Sequence, residues 1–327
     1  MITTRLTQRF EMEHPIVCAP MAMVCGGALA AAVSKAGGLG ILGGGYAGTI
    51  GESIDLEEQY RMAGNTPIGI GFITWAVEAR PEAMDWAIAE RPKCLFLSFG
   101  SPKTFARTVL DANIPLFCQC QTMGHVREAL DAGASVIVAQ GAEAGGHGGR
   151  RSTLPFVPEV ADLLAKRYPD VLLLAAGGIA DGRGLAASLA LGADGVLVGS
   201  RFWAAEEALT PSAALARAIA ADGDQTVRTT ALDSLRGVPW AEEFSFRVLR
   251  NRLMDEWADR EAEAAADFGA MKRSYNEARI RGDLDVAATI VGEAVGLIHA
   301  RLPAANIVSA MIAEAETVLA RGARLVS

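Results

Sequence analysis

Residues 140 to 149 read QGAEAGGHGG, a stretch that sets His147 among Gly145, Gly146, Gly148 and Gly149, just after the apolar run Ser135-Val136-Ile137-Val138-Ala139. A β-branched run closed by Gln140-Gly141 predicts a buried strand and then a turn, so His147 falls just past a strand's carboxyl end. The flanking glycines let backbone and ligand approach an imidazole whose charge changes near neutral pH, which suits proton transfer or the holding of an anionic oxygen. The chain has four histidines. His14 precedes Pro15 and reads as structural, and His125 and His299 sit in helical stretches. His147 is therefore the candidate catalytic residue; the plainer account is a loop histidine bonded to a nearby carbonyl.

Two glycine motifs follow later strands: Ala175-Ala176-Gly177-Gly178-Ile179-Ala180-Asp181-Gly182-Arg183-Gly184, and Gly199-Ser200-Arg201-Phe202. Exposed backbone N–H groups, a following helix start and the Ser200 hydroxyl are what a phosphate dianion needs. Glycines that merely make tight turns would look the same. The loop Ala19-Pro20-Met21-Ala22-Met23 offers small and soft side chains as a flat apolar wall for a ring system, although Met21 and Met23 suit ordinary core packing equally well. Gln140 supplies a donor and an acceptor able to meet a heterocycle's edge, or to bond backbone. The phosphate could belong to a substrate or to a cofactor. Taken together, these loops would hold flavin mononucleotide (FMN), phosphate at one side and His147 near the reactive ring.

The elements that must position these residues come from apolar β-rich runs alternating with helical periodicity. Strands are predicted at Ile16 to Cys18, Leu39 to Leu42, Ile68 to Ile73, Cys94 to Ser98, Leu116 to Gln119, Val136 to Ala139, Val171 to Ala175 and Val196 to Gly199. Helices are predicted near 27–36, 53–63, 81–90, 102–112, 123–132, 157–167 and 183–191, several with a Ser, Pro or Asp start signal. Continuous apolar strands, each followed by a helix, call for a covered parallel sheet, and eight such units for a closed (β/α)8 TIM barrel. In that fold, ligands bind at the carboxyl ends of the strands and phosphate after strands seven and eight, where both glycine motifs fall. An open doubly wound sheet is the runner-up. Its GxGxxG match, Gly38 to Gly43, follows a helix and itself forms the second strand, so glycine packing in a barrel explains it better.

The chain's 327 residues, 51% hydrophobic, can bury a large core, and a net charge of −8 leaves no basic stripe for nucleic acid or an anionic membrane. The N-terminus has no apolar signal core and no apolar run is long enough to span a bilayer, so a cytoplasmic protein is expected. Five cysteines without a CxxC pair argue against a disulfide framework, and Cys118 and Cys120 read as core thiols rather than as a metal site. Residues 1–205 are expected to form the barrel, 206–291 a helical extension without strands that covers the site, and 292–327 a return segment and closing helix. Within the extension, helices are expected near 211–221, 241–258 and 259–281, and the closing helix near 303–321.

HPI at 14–16 with APM at 19–21, QGAEAGGHGG, AAGGIADGRG and GADGVLVGSRF at 192–202 together resemble the nitronate monooxygenase (2-nitropropane dioxygenase) family, over most of the chain. GEAVGLI at 292–298 resembles a late segment that returns to that family's active site. The resemblance implies an FMN-dependent barrel with His147 beside the flavin. It matches Gln140 and Gly145 to cofactor-contacting positions, Met21, Ala22 and Met23 to the flavin-facing loop, and Gly178, Gly199 and Ser200 to the phosphate loops; Ala19, Gly146 and Gly177, from the same loops, are expected to complete the cofactor contacts. The implied partners are a nitronate or nitroalkane and dioxygen, with a homodimer as the one protein assembly considered. Gly71 departs from the pattern, since many relatives carry Asn there. The His147 block is also similar to FMN-dependent enoyl reductases and quinone reductases, so an NAD(P)H-dependent reductase of quinones or enoyl thioesters is the alternative. A flavin-free barrel acting on a phosphorylated metabolite is the third reading.

Overall fold

Eight parallel strands close on themselves in the computed structural model, which describes residues 2–48, 54–257 and 268–325. In chain order the strands are β1 (Ile16–Cys18), β2 (Leu39–Gly45), β3 (Gly69–Ile73), β4 (Leu95–Ser98), β5 (Leu116–Cys120), β6 (Val136–Gln140), β7 (Gly146–Gly148), β8 (Leu172–Ala176), β9 (Gly195–Val198), β10 (Thr226–Thr229) and β11 (Ser245–Leu249). The barrel runs β1-β2-β3-β4-β5-β6-β8-β9, and β9 returns to β1 through Ile16↔Val196 and Cys18↔Val198. The strands read as uninterrupted apolar runs because both faces are covered. Val17, Phe96, Val136, Val138, Leu172 and Leu174 fill the interior, while Ile16, Leu95, Leu97, Ile137 and Leu173 meet the helices outside.

The barrel's amino-terminal end is plugged by a helix that the periodicity does not predict, Arg5–Phe10, capped by Thr4. Its Leu6 and Phe10 join the interior cluster, with Phe10 edge-on to Phe117 at 5.2 Å. Glycines on β2 serve packing. A Cβ on Gly40 would collide with the Ala30 carbonyl of the helix Gly27–Lys35, and one on Gly43 with the Met21 carbonyl. This supports the packing account of the GxGxxG match over a dinucleotide fingerprint.

The other predicted helices lie within a few residues of those observed, at Leu56–Met62, Pro81–Ala89, Lys103–Asp111, Met123–Asp131, Thr153–Arg167 and Gly182–Ala190. The expected start at 53 falls outside the described residues. The helix after β7 begins at Thr153, four residues before the expected 157, because Pro155 stands in a first turn that needs no intrahelical N–H.

After Trp203 the chain departs from the expected all-helical extension. Helices Ser212–Ile219, Ala231–Arg236, Arg252–Trp257 and Phe268–Arg281 are present, and residue 258 of the expected 241–258 helix and residues 259–267 of the expected 259–281 helix lie outside the described residues. The helix expected over 241–258 is instead β11 followed by Arg252–Trp257. β11 pairs antiparallel with β10 on one side and with β7 on the other, giving a three-stranded sheet. Strands of three to five residues carry too little period-two signal to stand out, and one partner, β7, lies about a hundred residues earlier. The helix Ala304–Ala323 packs between Gly182–Ala190 and Gly27–Lys35, the place of the helix after the eighth barrel strand. The strand pair and its helices are thus inserted between the last barrel strand and its helix. Among the described residues, no helix is long and apolar enough to cross a membrane.

Candidate active site

The turn after β6 does not remain a loop. The chain re-enters as β7, where His147 stands directly across from Phe246 of β11. That register explains the ring geometry. Phe246 lies parallel to the imidazole with centroids 4.3 Å apart, and Trp240 covers it at 3.4 Å, each plane tilted by 8°. The imidazole is 7% exposed, and its Nε2 lies 2.9 and 2.8 Å from the two carboxylate oxygens of Asp233. Asp233 is itself buried, on the helix Ala231–Arg236, with the Arg236 guanidinium 3.5 Å away. Burial holds the His147 pKa below the ordinary imidazole value; the Asp233 carboxylate pushes the other way, and Arg236 and Arg228 add to the lowering.

Two arginines of the inserted sheet hold this turn in place. Arg228 of β10 donates to the carbonyls of Ala142 (2.9 Å), Ala144 (3.3 Å) and Gly148 (3.2 Å) and to Ser245. Arg247 of β11 donates to the Ala142 carbonyl at 3.1 Å and pairs with Glu293 at 2.7 Å. Partial burial and the neighbouring Arg247 push the Arg228 guanidinium down to about 10. Glu143 turns its charge elsewhere: it accepts from the Thr153 N–H at 3.0 Å and hydroxyl at 2.7 Å, capping the helix Thr153–Arg167.

All the predicted positions meet on one cavity of about 1370 Å³ of open space, mouth included. Ala19, Met21, Ala22, Met23, Gln140, Gly145, Gly146, His147, Gly177, Gly178, Gly199 and Ser200 line it. Met23 is held at φ +63°, Gly177 at +98° and Gly178 at +74°, the left-handed region that favours glycine and that an L side chain such as Met23 rarely adopts. Beside Gly199, an added Cβ would meet only Ala19 Cβ and Met21 Sδ, both at 3.9 Å. The Ser200 hydroxyl accepts from the N–H of Gly292, which leaves its own hydrogen to give. Gly292 and Ala294 line the same cavity, so the return segment reaches it.

Two positions differ from the expectation in detail. Gln140 uses its amide as a brace, accepting from Gln121 at 2.9 Å and donating to the His147 carbonyl at 3.2 Å, with one donor and one acceptor site left over. Gly145 is pressed against the return segment, where a Cβ would collide with Val291. Gly71 has no room for the Asn of other chains, because a Cβ there would lie 2.5 Å from Pro20 Cβ and 3.3 Å from Phe96 Cβ. Cys118 and Cys120 are buried in the core packed between barrel and helices.

Asp233, Arg228, Arg247 and Trp240 were not singled out by the sequence. Arg247 falls in a stretch expected to be helical and the other three fall between the expected helices; the fold of the inserted segment gathers them around the His147 turn. Ser98 and Gln119, at the ends of β4 and β5, are further polar linings.

A family model for nitronate monooxygenase matches residues 3–88 and 82–314. A nitronate monooxygenase from Metarhizium robertsii is 36% identical over 93% of this chain and 91% of its own length. The solved structure of FabK from Thermotoga maritima superposes with a TM-score of 0.82 at 29% identity, covering 98% of each chain. A nitroalkane oxidase from Streptomyces ansochromogenes superposes with a TM-score of 0.76 at 27% identity, covering 95% of this chain and 99% of that one. With the barrel, the glycine-rich cavity and a family match that runs through nearly the whole sequence, this chain belongs to the nitronate monooxygenase family of oxidoreductases.

Proposed function

We propose that the protein oxidises alkyl nitronates with dioxygen on a bound FMN, and that the cavity lined by His147 is where it does so. The observation that carries the reading is the division of that cavity. Glycine backbone from the turns after β8 and β9 forms one wall, apolar side chains from the β1 turn form another, and a clamped histidine supplies a polar group. Among the described lining residues the charged side chains besides His147 are Glu143, committed to a helix cap, and Arg236, beside Asp233. Such a surface suits a planar apolar ring with a phosphate held by N–H groups rather than by cations.

Gly177, Gly178, Gly199 and Ser200 would take the phosphate. Ala19, Met21, Ala22 and Met23 would face the ring, and Gln140, Gly145 and Gly146 would hold the turn beside it. Bound there, FMN would supply the redox chemistry between an electron-rich nitronate and dioxygen. His147 orients the substrate by meeting an oxygen of its nitro group in the charged form, or takes the α-proton in the neutral form when a nitroalkane enters. Trp240 and Phe246 keep water from both faces of the imidazole, which strengthens any contact made at its edge.

Anaerobic mixing of the purified protein with propyl-2-nitronate, and separately with NADH or NADPH, tests this. Bleaching of the flavin by the nitronate alone, reversed by air with uptake of dioxygen, is the expected result. Bleaching only by a reduced pyridine nucleotide would replace it with the quinone or enoyl-thioester reductase, and a preparation without flavin would sink both.

A further inference from the structure

The inserted helix Ala231–Arg236 brings a carboxylate to the catalytic histidine, and nothing in the barrel itself does so. We infer that Asp233 is the positioning residue of the site: by accepting from Nε2–H it restricts every proton His147 exchanges to Nδ1, and it keeps that nitrogen able to carry a charge for an anionic substrate. The inference rests on the nitronate reading for its substrate and on geometry for the rest.

The carboxylate offers only lone pairs to Nε2, from 2.8 and 2.9 Å, so Nε2 must carry hydrogen in either charge state. Nδ1 has no hydrogen-bond partner among the described residues, and His147 lines the cavity. Trp240 and Phe246 grip both faces of the ring, so it cannot turn to present Nε2 instead. A neutral His147 therefore shows the cavity a lone pair, and a charged one shows it an N–H. Which form prevails depends on the groups around it. Asp233 favours the charge; burial and the guanidinium groups of Arg236 and Arg228 oppose it, and Tyr275 packs near the same carboxylate. Without Asp233 the charged form would recede to still lower pH, so a nitronate would meet a lone pair over a wider pH range, and two like partners would repel.

Two experiments test the assignment. The first is steady-state kinetics of Asp233→Asn with propyl-2-nitronate across pH, alongside flavin content and thermal midpoint. The variant should keep its flavin, raise KM for the nitronate about 10- to 100-fold and change kcat less. The pH at which KM begins to climb should move to lower pH, and Asp233→Glu should restore part of the affinity. Overlapping pH profiles for the variant and the wild type would overturn the role. Because Asp233→Asn could fail to fold, the second measurement uses the intact protein. Nitrogen NMR of the 15N-histidine-labelled chain, with His147 assigned by its loss in His147→Gln, should show Nε2 protonated and Nδ1 bare above the titration. A neutral ring with its proton on Nδ1 would refute the inference outright. That reading needs no substrate, so a protein indifferent to nitronates would sink the proposed function and still leave the dyad tested.

Discussion

His147 is held by more than its own loop. Its carbonyl takes a hydrogen bond from Gln140, its Nε2 meets Asp233 and both ring faces are stacked. His147→Ala should therefore keep bound flavin while lowering kcat/KM by about 10²- to 10⁴-fold, the range for removing one proton-transfer or anion-holding group, as read by turnover and visible absorbance. Loss of flavin with full activity in the fraction that retains it would contradict this role. Stability should carry a signature of the same residue. Its folded pKa is depressed, so as pH falls through about 6.5 the unfolded chain takes up a proton before the folded one does. Its contribution is complete above that pH and is lost as pH falls toward the lowered value. The urea midpoint of the wild type should drop between pH 7.5 and 5.5 by more than that of His147→Gln. At Gly71, the Pro20 ring leaves no space for a side chain, so Gly71→Asn should destabilise by about 1–3 kcal/mol in denaturant unfolding instead of adding a contact to the cavity.

Between elements, the decisive contact is the antiparallel pairing of β7 with β11, which turns a glycine-rich stretch into a strand and sets Phe246 over His147. Arg228 reinforces that pairing by donating to three carbonyls of the turn from Ala142 to Gly148. Replacing it with Met keeps the stem but removes the donor to Ala144 and Gly148 and leaves Ala142 with Arg247 alone. Arg228→Met should cost about 2–4 kcal/mol and raise the rate of flavin loss, followed by denaturant midpoint and by dilution of the holoprotein. The barrel strands were legible because eight apolar runs are each buried on both faces. β10 and β11 were not: TVRT and SFRVL are short, each carries a single arginine, and the second partner of β11 lies about a hundred residues earlier. A mixed run of four or five residues is as compatible with a helix face as with a strand, and the pairing partner decides between them.

For the molecule as a whole, the last helix closes the ring of helices only after the chain has crossed the mouth of the barrel and come back. Ala304–Ala323 lies against Gly182 so tightly that a Cβ there would collide with the Met311 carbonyl and the Ala315 N–H. Gly182→Val should loosen that helix and lower the denaturant midpoint by an amount equivalent to about 1–3 kcal/mol. The chemistry at His147 should change little in the folded fraction, because the helix touches the barrel's flank and not the cavity. The insertion works in the opposite sense: its removal would take away Asp233, Trp240 and Phe246 together and strip the histidine of its surroundings.

The sequence by itself determined the barrel, its eight strands, the two glycine turns and the histidine between glycines, because each is a local pattern: a buried run, a left-handed backbone position, a side chain with no competitor nearby. Only the tertiary structure decided what surrounds that histidine. Asp233, Arg228, Trp240 and Phe246 reach it across roughly eighty to a hundred residues of chain, through a small sheet whose strands are too short to announce themselves. Burial, pairing and the choice of protonated nitrogen are properties of neighbours, and neighbours distant in sequence are chosen by packing.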